Sequence, residues 1–145
     1  MAEARDTATL YIDAFNAHDE SAMRSLNAPD IKFEAPGDVR LEGREAATGY
    51  STAWLKGFPD ARMTVKNEIT SGPWVVQECT FEGTHGGSLE GPAGSIPATG
   101  RKVTGHCVQI GRYENGLASD VRLYYDQVEL LTQLGLMPEP APATA

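Results

Sequence analysis

The chain has 145 residues, 41% hydrophobic and 22% charged, which suits one globular core and is too apolar for a disordered chain. Twelve Lys and Arg stand against 20 Asp and Glu, a formal net charge of −8, which argues against the basic stripe that a nucleic-acid binder needs. No run approaches the roughly 20 apolar residues of a membrane helix, and the opening MAEARDTA lacks the apolar stretch of a secretory leader, so a cytoplasmic location is expected.

Ala4, Ala8, Tyr11, Ile12 and Phe15 recur at helical spacing and predict an amphipathic helix ending near Asn16. Asp19 is the N-cap candidate of a short second helix carrying Ala22, Met23 and Leu26, which Pro29 terminates. Ile31 to Ala35 reads as a short strand stopped by Pro36-Gly37. Glu45 to Gly57 predicts a third helix with Ala46, Tyr50 and Trp54 on one stripe and Phe58 just beyond it.

After Pro59-Asp60 the period shortens to that of a strand. Ala61, Met63, Val65 and Ile69 alternate with Arg62, Thr64, Lys66 and Glu68, as in a half-buried antiparallel strand. Ser71-Gly72-Pro73 turns the chain into a strand from Trp74 to Thr84, and a glycine- and proline-rich loop follows from His85 to Gly100. Strands at Lys102 to Tyr113 and Leu117 to Asp126 flank Asn115-Gly116, a dipeptide suited to a type I′ turn. Val128, Leu130, Leu131 and Leu134 fit a short closing helix with Gly135 as its C′ residue, and residues 138–145 are expected to be a disordered tail to a single domain spanning 1–137. Helices followed by long antiparallel strands indicate an α+β fold, with an apolar cavity between the layers as the place for a small molecule.

Cys79 and Cys107 each fall in a predicted strand, and two buried thiols are expected rather than a disulfide. His18, His85 and His106 form no HxxxH pair, and the segment from Gly83 to Gly100 contains no GxxxxGK[ST], so neither a metal nor a nucleotide cofactor is expected.

Asp120, Arg122, Tyr124 and Asp126 alternate on one face of the last strand, and Val121, Leu123 and Tyr125 on the other. If the polar face meets the helix aromatics, desolvation would raise the Asp126 pKa and suit it to acid/base work. Asp126 equally fits an N-cap of the closing helix, with Glu129 completing an Asp-x-x-Glu box. Arg122 would either tune Asp126 or bind an acidic substrate group from within the cavity, or pair with Asp120 or Glu114. His106 shares a face with Val108, Ile110 and Arg112 and is placed in the same cavity or in an ordinary structural role, with Gln109 on the opposite face. His85 would contact a ligand or shape the glycine loop. Tyr11, Phe15, Asn16, Tyr50 and Trp54 would line an aromatic pocket or pack the core. Val121, Leu123 and Tyr125, on the outer face, would serve a homodimer or homotetramer.

Five stretches in register carry a resemblance: Phe15-Asn16-Ala17-His18-Asp19, Phe58-Pro59-Asp60, Phe81 to Gly87 (FEGTHGG), Ile96 to Arg101 (IPATGR), and Asp126 with Leu130 to Gly135 (LLTQLG). Together they resemble the SnoaL-like polyketide cyclase (ester cyclase) family, within the nuclear transport factor 2-like superfamily, from about residue 7 to 138. The resemblance implies a cone-shaped α+β barrel whose curved, mostly antiparallel sheet packs against N-terminal helices. It implies cofactor-independent, aldol-type cyclisation of an apolar, oxygenated small molecule, with Asp126 as the acid/base. Tyr124 departs from the family, where a histidine commonly precedes that aspartate by two residues, and Arg122 stands where many members carry tryptophan. Tyr124 and His106 are accordingly expected as oxyanion or carbonyl donors. The departures leave open a hydroxylase, isomerase or hydrolase on the same fold, or a non-catalytic small-molecule-binding module.

Overall fold

In the computed structural model, which describes residues 3–91 and 94–137, the helix-rich half forms α1 (Ala4–Asn16), α2 (Glu20–Leu26) and α3 (Arg44–Gly57). Between α2 and α3 lie β1 (Asn27–Ala35) and β2 (Val39–Glu42). The second half supplies β3 (Arg62–Ser71), β4 (Trp74–Thr84), the short β5 (Leu89–Gly91) and β6 (Gly94–Ile96), β7 (Lys102–Glu114), β8 (Leu117–Tyr125) and α4 (Gln127–Gln133). The six long strands form one curved sheet in the order β2-β1-β8-β7-β4-β3. Its pairings are antiparallel except β1 with β8. α1 to α3 cover the concave face, giving the expected α+β architecture.

Local signals explain the helix ends. Asp19 accepts from the Ala22 amide at 3.0 Å and starts α2. α4 closes with the two bonds of a Schellman motif, Gly135 N–H to Thr132 O and Leu136 N–H to Leu131 O, with Gly135 at φ 75°. Asn115 and Gly116 both have positive φ, 54° and 75°, as a type I′ turn requires. Elsewhere the chain departs from expectation. β1 begins at Asn27 and passes through Pro29 rather than starting at Ile31, since its irregular pairing with β8 tolerates a residue with no amide hydrogen. The glycine-rich loop contains the β5–β6 hairpin, anchored by buried Leu89 against Gly57 and the Phe58 cluster. A register shift in β3 after Val65 turns Ile69 to the exposed face instead of the half-buried one, and Val65, on this edge strand, is partly exposed as well. The expected tail, 138–145, lies outside the described residues.

Two side-chain amides fasten helices to strands by imitating a strand's own bonding pattern. Asn16 donates from Nδ2 to Met63 O at 2.8 Å and accepts the Met63 amide on Oδ1 at 2.7 Å, tying the end of α1 to β3. Gln133 does the same to Thr104, donating to its carbonyl at 2.9 Å and accepting its amide at 2.8 Å, and so docks α4 on β7. Asn16 is therefore a structural clamp and does not line the cavity expected of it. Asn16→Ala should lower unfolding free energy in urea by about 2 kcal/mol, since both Met63 backbone groups lose their partners. It should leave the affinity of a cavity-bound aromatic dye unaltered.

Candidate functional site

The space between helices and sheet is an aromatic-walled cavity. It leaves about 90 Å³ in which a water-sized group can be centred, within about 860 Å³ of unfilled space once the open mouth is counted. Tyr11 and Phe15 of α1, Tyr50 and Trp54 of α3, Phe81 of β4 and Tyr125 of β8 form most of the wall. Trp54 is the hub, with ring centroids 5.4 Å from Tyr125, 5.6 Å from Phe81, 5.9 Å from Phe58 and 6.4 Å from Tyr50. Four of the five helix residues expected to line a pocket do so, Asn16 being the exception. A second groove between β5–β6 and α4 shares Tyr50, Trp54, Tyr125 and Leu130 with the cavity.

The faces of β7 and β8 are the reverse of the expected ones. On β8, Val121, Leu123 and Tyr125 point inward, and Asp120, Arg122 and Tyr124 point out. The cause is a bulge at Ser119. Tyr113 pairs with Ala118 but Arg112 pairs with Asp120, so Ser119 has no opposite residue. Its hydroxyl donates to Arg112 O at 3.2 Å. Counting by twos from the buried Ala118 would put Asp120, Arg122 and Tyr124 inside; the extra residue moves them all outside.

Tyr124 is therefore 51% exposed on the convex face. Arg122 pairs with Asp120 at 3.3 Å and lies over the Trp74 ring, 5.5 Å from its centroid, outside the cavity. On β7, Cys107, Gln109 and Tyr113 face inward, so the His106 side chain is 79% exposed at the mouth, its Nδ1 3.8 Å from Glu129. Val108 and Ile110 share that outer face with Trp74 and Val76. Both faces of β7 carry apolar residues, so alternation alone did not distinguish them. His85 is fully buried away from the cavity and stacks on Phe58 at 5.3 Å. Its Nδ1 accepts the Thr99 amide at 3.2 Å, while its own amide bonds Arg101 O, so it shapes the glycine loop as one of its two expected roles.

Asp126 sits at the mouth, among the cavity-lining residues, and is exposed rather than desolvated. Its Oδ1 accepts the Val128 and Glu129 amides at 2.9 and 3.1 Å, so it does cap α4. Oδ2 makes no bond to protein among the described residues. Inside the cavity the polar atoms belong to neutral groups. Tyr50 and Tyr125 present their hydroxyls to one another; burial holds both pKa values up, foremost, with the neighbouring hydroxyl contributing at Tyr50. They stay protonated as hydrogen-bond donors. Tyr11 is raised by burial as well, and it donates to Asn27 Oδ1 at 2.7 Å. Ser51 of α3 adds a hydroxyl, and Gln109, 6% exposed, and Cys107 are the polar groups that the inverted face assignment concealed. Among the described residues no three His, Cys, Asp or Glu side chains converge as metal ligands, and no helix is long and apolar enough to cross a membrane.

The SnoaL-like polyketide cyclase family model matches residues 5–134. Aklanonic acid methyl ester cyclase DnrD of Streptomyces peucetius is 35% identical over 118 residues, 77% of each chain. DauD, the cyclase of that name from Streptomyces sp. strain C5, is 35% identical over 104 residues, 70% of this chain and 61% of its own. The structure of IdmH, a candidate polyketide cyclase from Streptomyces antibioticus, superimposes with a TM-score of 0.77 at 28% identity, covering 92% of this chain and 99% of that one. A candidate SnoaL-like cyclase from Jannaschia sp. CCS1 has the same fold, with a TM-score of 0.81 at 22% identity over 93% of both chains.

The site's scaffold carries a pH dependence through His85. Burial lowers the His85 pKa below its ordinary value near 6.5. The unfolded chain then binds the proton more readily, so stability is complete above about pH 6.5 and falls as the pH drops toward the folded-state pKa. The urea midpoint should decline as the pH is lowered through about 6.5. His85→Asn, whose oxygen can still accept the Thr99 amide, should flatten that decline.

Proposed function

We propose that this chain, which belongs to the SnoaL-like polyketide cyclase family, closes a ring in an apolar, oxygenated polyketide-like molecule held among Tyr11, Phe15, Tyr50, Trp54 and Tyr125. One observation carries the reading: Asp126 lies at the mouth of an aromatic cavity, held by its Oδ1 atom, with Oδ2 uncommitted. Oδ2 would accept the proton of a carbon flanked by carbonyls. The resulting enolate carbon would attack a second carbonyl carbon, and the oxygen formed there would take the proton back from Asp126. The Tyr50 and Tyr125 hydroxyls are suited to donate to the oxygen on which charge develops. The mechanism needs no cofactor, because the enolate is delocalised over the substrate's own carbonyls. Tyr124 would take no direct part, since its side chain lies on the convex face, and His106, at the mouth beside Glu129, would meet only the part of a ligand that reaches the rim. The half-buried Val76, Val108 and Ile110 beside Tyr124 would supply a homodimer contact in place of Val121, Leu123 and Tyr125.

A binding module without turnover is favoured by one observation. The ionisable acids and the histidine of the lining sit at the mouth, and the interior is neutral. Asp126→Asn separates the readings because an amide oxygen still caps α4. With aklanonic acid methyl ester as substrate, the variant should lose about 10²- to 10⁴-fold in turnover with an unchanged urea midpoint. Asp126→Ala should lose about 1 kcal/mol of stability as well. Turnover of Asp126→Asn at the wild-type rate would remove Asp126 from the chemistry.

A further inference from the structure

Cys79 and Cys107 are direct partners in the continuous antiparallel register of β4 and β7, and neither is in a disulfide. Directly opposed residues of such a pair have Cα atoms about 4.5–5.5 Å apart, inside the window that a disulfide spans without backbone movement. Both side chains point to the concave side, where with Ile12 and Met63 they form one buried cluster. Their exposures are 2% and 8%, and Cys107 is the one that forms part of the cavity wall, with Cys79 behind it.

We propose that Cys107 and Cys79 form an oxidation site in the cavity wall, where a small peroxide entering by the substrate's route converts the two thiols into a cross-strand disulfide. Hydrogen peroxide transfers one oxygen to the Cys107 sulfur, giving a sulfenic acid and releasing water. The Cys79 sulfur then attacks the Cys107 sulfur, the S–O bond breaks, and a second water leaves with the Cys79 proton. Two thiols lose two hydrogens and two electrons, and one peroxide becomes two waters. Pairing lowers the Cys79 pKa and raises that of Cys107, to which burial adds, so ionisation alone would put Cys79 first; access sets the order instead, because only Cys107 lines the cavity through which the peroxide arrives. The disulfide would draw the Cys107 sulfur back toward β4 and remove its S–H from the cavity wall. The site depends on no particular reaction in the cavity.

The test is exposure of the folded, reduced protein to hydrogen peroxide with dimedone present, followed by non-reducing peptide mapping. The wild type should yield a Cys79–Cys107 link, lighter by two hydrogens, restored by dithiothreitol, with little dimedone adduct. Cys79→Ser, or Cys79→Ala if serine disturbs the core, should accumulate a dimedone adduct at Cys107. Cys107→Ser should leave Cys79 unlabelled while the fold persists. Wild-type protein that gives only Cys107 dimedone adduct or sulfonic acid, or whose thiols survive peroxide unchanged, would overturn the proposal. So would Cys79 labelling in Cys107→Ser that matches Cys107 labelling in Cys79→Ser.

Discussion

A single unpaired residue in the β7–β8 hairpin decides which side chains see the cavity. Ser119 has no partner on β7, and its hydroxyl holds the Arg112 carbonyl across the irregularity. A strand repeats every two residues, so one extra residue exchanges its faces for the rest of its length. Upstream of the bulge Ala118 is buried; downstream Val121, Leu123 and Tyr125 take the inner face. The aromatic wall, the neutral interior and the position of Asp126 at the mouth depend on that exchange. Without it, Asp120 and Arg122 would be driven beneath α1 and α3, a burial of charge that the apolar lining could not compensate.

The remaining architecture holds the mouth of the cavity still. Asp126 begins α4 through two amide bonds, and Gln133 secures the other end of that helix to the Thr104 backbone of β7. Asn16 fastens α1 to β3 in the same manner. Trp54 then touches aromatic rings from α3, β4 and β8 together, so both layers meet on one side chain. A carboxylate at such a rim retains access to water and to a ligand. The interior tyrosines offer hydrogen bonds without charge.

Much of this was legible in the sequence because the signals were local. The Asp19 cap, the Asn115-Gly116 turn, the Gly135 helix end and the helical spacing of Tyr11, Phe15, Tyr50 and Trp54 each report on a few neighbouring residues. The motifs shared with the polyketide cyclases carried the fold, and the family match bears that out. The β5–β6 hairpin was hidden because its strands are three residues each and glycine-rich. The faces of β7 and β8 were misread for a different reason. A bulge has no compositional signature at Ser119, and β7 is apolar on both sides, with Cys107 inward and Val108 and Ile110 outward. Arg122 and Tyr124 were drawn into the cavity by their chemistry, whereas the pairing register excludes them; His106 reaches only its mouth. Gln109 and Tyr125 were passed over by the same error.

The most direct test of this account is the set of nuclear Overhauser contacts made by a hydroxylated anthraquinone bound to the folded protein. The account predicts contacts from the ligand to the rings of Tyr125, Tyr50 and Trp54, and none to the ring of Tyr124. Contacts to Tyr124, with Tyr125 silent, would mean that β8 runs without its bulge and that the site has been built on the wrong face.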